Sequence, residues 1–358
     1  MIEVRHLKLI DTVAKVGSLS KAAEKLCLTQ SALSHQLKDL ESRLEVQIFH
    51  RHNNKLLFTP EGKELRDASS DLLDQFETLE NRVRDISQNQ LNKYVHGYSD
   101  SESQRLNDQA NTMTDLLHYD SSWPEGSKVL EVGCGVGSQT QIICKRNPKV
   151  EFTSVDLSEK SLVQANQVAN KLGLENASFQ QADVYKLPFA TGSFDHVFVC
   201  FLLEHLENPL QGLSEMQRVL KKGGTITVIE GDHGSTYFYP DSEMAQKAVR
   251  TQVELQKQNG GNANIGRTLY PLLTKAGFED VRSSPRQVYV DASKPDMVEG
   301  FMKNTFTAMI EGVKEEAIAE GLTSEQEMSK GIQDLLLTAK GGTFCYTFFK
   351  ALGVKKSK

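Results

Sequence analysis

Between Val4 and Val16, the apolar residues Leu7, Ile10, Val13, Ala14 and Val16 fall at the three- and four-residue steps of one helix face. Gly17 interrupts the pattern, and Ser18-Leu19-Ser20 opens a second helix carrying Ala22, Ala23 and Leu26. After a short turn at Cys27-Leu28, Thr29 starts a third helix with Leu33, Leu37, Leu40 and Leu44 along one side. Two helices, a tight turn and a third helix make the helix-turn-helix plan. Gln30, Ser31, Ser34, His35 and Lys38 are the polar residues left to face outward on the third. From Ile48 to Thr59 the pattern predicts two short strands around Asn53-Asn54, a wing bearing Arg51 and Lys55. Leu65, Ser69, Leu72, Phe76, Leu79, Val83 and Ile86 then follow at alternating steps of four and three, the seam of a two-stranded coiled coil. A single amphipathic helix packing on its own domain gives a similar pattern. Gln88-Asn89-Gln90 read as a polar hinge.

Beyond the hinge the pattern changes to short apolar runs alternating with helical segments. Val129 to Val132 predict a strand that runs into Gly133, Gly135 and Gly137, and a helix follows from Gln139 to Lys145. Such a junction sets backbone N–H groups and a positive helix end beside a ligand. Glycines without Cβ let that ligand lie against the main chain. Asp156 ends the next strand, Glu151 to Val155, where an acid is placed to accept from the two hydroxyls of a ribose. A dinucleotide-binding loop would read G-x-G-x-x-G, but position 138 is Ser138. Gln181-Ala182-Asp183 end a third strand, Phe194 to Cys200 form a fourth, and Thr225 to Glu230 a fifth. Asp241 to Lys257 is helical, as is the segment from Asn264 to Phe278; Gln287 to Asp291 and Thr343 to Phe349 are a sixth and a seventh strand. Between the last two lies a helical insertion, Lys294 to Lys340.

With 358 residues, the chain is long enough for two domains with their own cores. A net charge of −6 excludes a global basic field that would draw the whole molecule to nucleic acid. Any DNA contact must come from a local patch, and Met1 to Arg66 carry eleven Lys and Arg against eight Asp and Glu. The five cysteines, Cys27, Cys134, Cys144, Cys200 and Cys345, include no C-x-x-C pair, which argues against a disulfide framework or a zinc site and for a reducing, cytoplasmic setting. The amino terminus has no apolar leader core, and no run of apolar residues is long enough to span a membrane. We expect no metal and no membrane partner.

Two resemblances follow from these residues. The strings Ser18-Leu19-Ser20-Lys21-Ala22-Ala23, Thr29-Gln30-Ser31-Ala32-Leu33-Ser34, Leu40-Glu41, Leu44, Phe49, Arg51 and Thr59-Pro60-Glu61-Gly62 resemble the DNA-binding region of LysR-type transcriptional regulators. That family usually carries a basic residue at the position of His35, although histidine occurs in a branch that includes regulators of methionine synthesis. The resemblance covers about residues 1–90, and the sugar-binding-protein-like effector domain that normally follows is replaced. It implies double-stranded DNA as a partner, a recognition helix bearing Gln30, Ser31, Ser34, His35 and Lys38, phosphate contacts from Arg51 and Lys55, and a homodimer through the 61–90 helix. The bland alternative is a helical dimeriser that has lost DNA binding.

From Val129 to about Glu230 the ordered markers resemble the class I S-adenosylmethionine-dependent methyltransferases. The resemblance implies S-adenosyl-L-methionine as cofactor, lying along Gly133, Cys134, Gly135 and Gly137. Glu131 would fix the loop, Asp156 the ribose hydroxyls and Asp183 the adenine amino group. Leu157 and Val184 would sandwich the ring, and Cys200 would border the site. Tyr98 and Arg105, upstream, stand where such enzymes often place a lid helix that meets the cofactor's carboxylate. For the acceptor side, Glu204 or His205 in Cys200-Phe201-Leu202-Leu203-Glu204-His205-Leu206 is a general-base candidate, and His233 is another. Each also has a plain reading, as a loop-shaping hydrogen bond or an exposed surface group. Phe301, Met302, Phe306 and Met309 either line an acceptor pocket or form the insertion's own packing face. If Arg267, Tyr270, Arg286 and Tyr289 point inward, an anionic acceptor follows.

The expected fold class is α/β: an N-terminal all-α winged helix-turn-helix with a dimerisation helix, then a Rossmann-like seven-stranded methyltransferase domain with a helical insertion between its last two strands. The expected domains are 1–60, a 61–90 linker helix, and 91–358. The leading function is S-adenosylmethionine-dependent methyl transfer to a small-molecule acceptor, by a domain fused to a DNA-binding transcriptional regulator module. A transcription factor that senses the cofactor or a metabolite without turnover is the alternative. A DNA methylase is disfavoured, because base-amino methylases carry an Asn/Asp-Pro-Pro-aromatic string where this chain has Leu203-Glu204-His205-Leu206.

Overall fold

The structure is a computed structural model that describes residues 2–26, 28–52, 55–70, 72–73, 75–76, 79 and 100–356. The chain divides into two compact units, Met1–Leu91 and Asn92–Lys358.

In the first unit, α1 (Val4–Val16), α2 (Leu19–Lys25) and α3 (Gln30–Leu44) close on Leu9, Ile10, Ala22, Leu33, Leu40 and Ile48. Local chemistry sets the ends of these helices. Gly17 takes the left-handed conformation (φ 72°) that terminates α1 and returns its N–H to Val13. Ser18 and Thr29 cap α2 and α3, their side-chain oxygens accepting from the N–H groups of Lys21 and Ala32. The wing is β1 (Phe49–His52) paired antiparallel with β2 (Lys55–Phe58). The Thr59-Pro60-Glu61-Gly62 string has a physical explanation. Thr59 Oγ1 donates to the Gln47 carbonyl and accepts from the Gly62 N–H, fixing the start of α4 (60–70), while a Cβ at position 62 would collide with the Ile48 carbonyl.

The second unit begins with α5 (Asp100–His118). Then come β3 (Lys128–Val132), α6 (Thr140–Arg146), β4 (Glu151–Asp156), α7 (Glu159–Leu172), β5 (Ala177–Gln181), β6 (Phe194–Cys200), α8 (Pro209–Val219) and β7 (Leu220–Tyr239). After these come α9 (Glu243–Gln258), α10 (Leu269–Lys275), β8 (Phe278–Asp291), the insertion and β9 (Thr343–Lys355). The sheet is seven-stranded in the order β5-β4-β3-β6-β7-β9-β8, and β9 alone runs against its neighbours. Both faces are covered, so its central strands read as continuous apolar runs. Successive residues enter opposite cores: Val129, Phe198 and Ile229 join one cluster, while Leu130, Val197, Val199 and Val228 join the other.

The last three strands are longer than the sequence predicted. The run expected to end at Glu230 continues to Tyr239, and the strand expected from Gln287 begins at Phe278. The strand expected to close at Phe349 runs to Lys355. Gly231-Asp232-His233-Gly234 looks like a stop in sequence, but the ladder with β9 shifts register between Asp232 and Tyr237 and resumes. The extended part is held by Phe238, Val288, Val290 and Phe344, which face the insertion's core. The insertion lies between β8 and β9, as expected. It comprises α11 (Pro295–Met297), a π-helix (Val298–Thr307), α12 (Ala308–Gly312), α13 (Lys314–Ala319) and α14 (Glu325–Thr338). The wide π turn packs on α5 at Gly300, where a Cβ would strike Thr112, and Thr305 Oγ1 donates to the Gly300 carbonyl at 2.7 Å. No helix among the described residues is long and apolar enough to cross a membrane.

Candidate active site

The glycine loop is built by main-chain geometry. Gly133 and Gly135 have φ of 77° and 52°, conformations that L side chains rarely adopt. The N–H groups of Gly133 and Cys134 both donate to the Val155 carbonyl, tying the loop to the end of β4. Asp156, next in line, accepts from the Gly135 N–H through Oδ2 at 2.8 Å and from the Ser158 N–H through Oδ1 at 2.9 Å. Burial raises its carboxyl against the lowering effect of these donors. Nothing lies within 4 Å of where a Cβ on Gly135 would stand, whereas one on Gly133 would meet Leu202 and one on Gly137 would meet Ala165. The loop therefore has one open flank, at Gly135.

Glu131 sits beneath this loop. Its Oε2 accepts from the hydroxyls of Thr140 and Ser154, both at 2.6 Å, joining β3, α6 and β4. Burial pushes its carboxyl up to about 7. His118 abuts the same region: Nε2 lies 2.7 Å from Gln139 Oε1, and burial pushes the imidazole down to about 4, so it stays neutral. Leu157 is exposed and Val184 half-buried, flanking the strand ends. Asp183 is exposed, and its Oδ1 accepts from the Tyr185 N–H at 2.9 Å in a turn just after β5. The Cys134 and Cys200 thiols are buried and pushed well up, first by burial and then by neighbouring carboxylates. Tyr98 lies outside the described residues.

At the ends of β6 and β7 the construction differs. Phe201 is forced to φ 58°, and a short 3-10 turn, Leu203–His205, follows. Glu230, at the end of the core part of β7, holds that turn: its Oε1 accepts from the N–H groups of Leu202 (3.0 Å) and Leu203 (2.7 Å). Burial, then the Glu204 carboxylate, pushes the Glu230 carboxyl well up. Glu204 is buried and tied to α9, where Gln256 Nε2 donates to its carbonyl at 3.1 Å and its Oε2 at 3.3 Å. Two imidazoles flank its carboxylate: His205 Nε2 is 3.7 Å from Oε1, and His233 Nε2 is 3.5 Å from Oε2. The three base candidates thus form one cluster.

That cluster opens into a cavity with an empty volume of about 510 Å³, its mouth included. Arg105 and Gln109 of α5 border it, together with Phe201, Phe301, Phe306 and Tyr346. Arg105 therefore stands beside the base cluster, where its Nη1 donates to Gln109 Oε1 at 3.3 Å. Phe301, Phe306 and Met309 line the cavity, while Met302 is buried in the insertion's core. The condition for an anionic acceptor is not met by the remaining polar candidates. Arg267 grips Asp232 through Nε and Nη2, Arg286 pairs with Asp120 at 2.5 Å, and Tyr270 and Tyr289 are exposed. Sequence reasoning missed Glu230 and Tyr346. A carboxylate closing an apolar strand was a usable signal for the first; Tyr346 arrives from a distant strand and gave none.

In the first unit, α3 exposes Gln30, Ser31, His35 and Lys38, with Ser34 half-buried, and turns Leu33, Leu37 and Leu40 to the core. The side chains of Arg51 and Lys55 lie outside what is described.

Residues 124–277 match the family model of a methyltransferase domain, and residues 4–63 match that of the bacterial regulatory helix-turn-helix proteins of the lysR family. An uncharacterized 37.1 kDa protein in transposon TN4556 of Streptomyces fradiae is 32% identical over 190 residues, 52% of this chain and 54% of that protein. The 27-O-demethylrifamycin SV methyltransferase of Amycolatopsis mediterranei (strain S699) is 31% identical over 165 residues, 45% of this chain and 55% of that enzyme. The HTH-type transcriptional regulator MetR of Escherichia coli (strain K12) is 48% identical over 75 residues, 21% of this chain and 24% of that regulator. The chain spans about half the length of the first two relatives and a quarter of the third. It carries a helix-turn-helix segment of the lysR family at its amino-terminal end and a methyltransferase domain after it.

Proposed function

We propose that the chain is an S-adenosylmethionine-dependent methyltransferase of a small molecule, carried on a DNA-binding dimer module in the cytoplasm. The observation that carries the reading is the glycine loop: Gly135 faces open space beside an Asp156 carboxylate fixed by two main-chain donors. Such a flank fits a nucleoside lying against the backbone. When bound, the cofactor supplies an electrophilic methyl group on a sulfonium. Gly133, Cys134, Gly135 and Gly137 bind along its methionine and ribose, Asp156 accepts from the ribose hydroxyls, and Asp183 takes the adenine amino group between Leu157 and Val184. Glu131 is a positioning residue, because its Oε2 already holds two hydroxyls. Glu204, His205 and His233 form the proton-accepting cluster, and Cys200 is a wall.

Calorimetry should give one S-adenosylmethionine site per chain. Asp156→Ala should weaken it by about 1.5–3 kcal/mol, the scale of hydrogen bonds to a charged acceptor. Binding of a nicotinamide dinucleotide in its place would sink the assignment. Consumption of the cofactor in the presence of metabolite extracts separates an enzyme from a sensor.

For the amino-terminal unit, the polar exposed face of α3 supports entry of Gln30, Ser31, Ser34, His35 and Lys38 into a major groove, with Arg51 and Lys55 on phosphates. Leu72, Phe76 and Leu79 are exposed at 40, 42 and 53% and keep the four-three spacing, which supports a homodimer through the 61–90 helix. A selection from genomic fragments that recovers no preferred site would leave the unit as a dimeriser.

A further inference from the structure

Among the described residues, Glu45, Phe201 and Asp280 take positive φ without being glycine. Two of them have plain local reasons. Glu45 closes α3 as its left-handed cap, and Asp280 stands in the register shift between Glu279 and Arg282 of β8. Phe201 caps no helix and belongs to no strand, and at φ 58° its bulky side chain is strained. The strain is held from both sides. The Phe201 N–H donates to the Ile229 carbonyl at 2.9 Å, and the next two N–H groups are held by Glu230 Oε1. The ring packs against Phe348 (centroids 5.3 Å, 43°). Phe201 is half-buried and lines the cavity that also holds Glu204 and His205. On its other side the turn meets the glycine loop, since a Cβ on Gly133 would stand 2.9 Å from Leu202 Cδ1. Phe201 therefore stands where the glycine loop gives way to the cavity.

We propose that Phe201 sets the size of the group carried on the cofactor's sulfonium, favouring methyl over longer alkyl groups. The proposal rests on the methyl-transfer reading above, in which the cofactor lies along Gly133 and Gly135 and the acceptor enters the cavity. A group passed between the two has to fit beside the ring at their boundary. A glycine at position 201 would adopt this backbone without strain, so the phenylalanine is explained by its ring and not by the turn. Relaxing φ would break the bonds to Ile229 and Glu230 and draw the ring off Phe348, so this wall yields little. The rings behind it yield little either, because Phe301, Tyr346 and Phe348 are buried and packed on one another. One methylene more or less against such an apolar wall is worth about 10–200-fold in discrimination.

The test is calorimetry on the full chain with S-adenosylmethionine, its ethyl analogue S-adenosylethionine, and S-adenosylhomocysteine, which carries no transferable group. Neither an acceptor nor turnover is needed. Wild type should bind the methyl cofactor at least about tenfold tighter than the ethyl one. Phe201→Gly and Phe201→Ala should bring the two within about threefold of each other and leave the affinity for S-adenosylhomocysteine unchanged. The glycine variant should have the higher unfolding midpoint of the two, because alanine keeps the left-handed strain. Equal binding of the methyl and ethyl cofactors by wild type would overturn the proposal, a result that needs no variant to fold. An undiminished methyl preference in folded Phe201→Gly would overturn it as well. So would a loss of affinity for all three molecules alike in both variants, since Phe201 would then only shape the loop. The two readings fail separately. Binding of S-adenosylmethionine without discrimination leaves methyl transfer standing and removes only the size limit. Binding of none of the three removes the methyl-transfer reading and this inference with it.

Discussion

The two ends of the binding edge are made in opposite ways. At β3 and β4 the loop is a product of backbone: glycine conformations, N–H groups on Val155 and Asp156, and an open flank at Gly135. At β6 and β7 it is a product of side chains: Glu230 clamps a turn, Gln256 holds Glu204, and two imidazoles share one carboxylate. Backbone geometry can hold one invariant ligand from a few adjacent residues. Side chains contributed by distant elements can be exchanged without touching that loop, so on the function proposed above the acceptor edge can be retuned independently of the cofactor edge. Acceptor identity should therefore reside in residues far apart in sequence, such as His233, Phe306 and Tyr346.

The largest expected effect tests whether the glycines of the backbone-made edge are interchangeable. Gly137 has φ 80°, and a Cβ there would stand 3.0 Å from Ala165 Cβ and 3.2 Å from its Cα. Gly137→Ala adds left-handed strain of about 1–2 kcal/mol to an overpacking cost of about 1–3 kcal/mol. We expect a loss of about 4 kcal/mol in denaturant unfolding. Gly135→Ala meets no atom and should cost only about 1 kcal/mol of stability, yet it should weaken cofactor binding because the new methyl fills the open flank. Similar stability losses in both variants would mean that Gly135 is packed and the flank is not a ligand site.

A somewhat smaller effect concerns Glu131, whose folded carboxyl is raised to about 7 from an ordinary 4.5 by burial. An acid raised in the fold favours folding when protonated. Its contribution is complete below 4.5 and is lost as the pH climbs through about 7. The difference corresponds to about 3 kcal/mol. Glu131→Gln keeps an oxygen for Thr140 and Ser154 but removes the titration. Wild type should therefore lose stability relative to the variant between pH 5 and pH 8, as read from unfolding midpoints. Parallel curves for the two proteins would show that Glu131 stays ionised.

How much of this was legible in sequence follows the same division. Phe194–Cys200 was readable because an apolar run with an abrupt end is a local signal, and Ser18 and Thr29 announced their helices by capping chemistry. The glycine loop with Asp156 was readable because its partners lie close in sequence and repeat a known order. The extension of β7 was hidden, since Gly231-Asp232-His233-Gly234 stops a strand by local rules and only the ladder with β9 carries it through. Arg267 looked available for an anion until Asp232 was seen beside it. Spacing suggested a helix over Val298–Thr307 but gave no sign of its π geometry or of the close approach of Gly300 to Thr112. Grouping Glu204, His205 and His233 as candidates was possible; placing them on one carboxylate was not.

The smallest expected effect is a rate, and it compares the two edges directly. Cys134 lies in the glycine loop and Cys200 at the end of β6, and both thiols are pushed well up by burial and nearby carboxylates. The thiolate is the reactive form, so neither should alkylate in the native protein at pH 8 except through local opening. Mass-spectrometric labelling with iodoacetamide should therefore find both protected relative to the unfolded chain. Cys134 adjoins the open flank at Gly135, whereas Cys200 sits behind a turn held by Glu230. We expect Cys134 to react first and S-adenosylmethionine to slow it more than it slows Cys200, because a ligand lying on the glycine loop restrains that loop's opening. If the cofactor protects Cys200 and leaves Cys134 unchanged, the assignment of the two edges is reversed. The cluster at Glu204 would then have to be reinterpreted as part of the cofactor site.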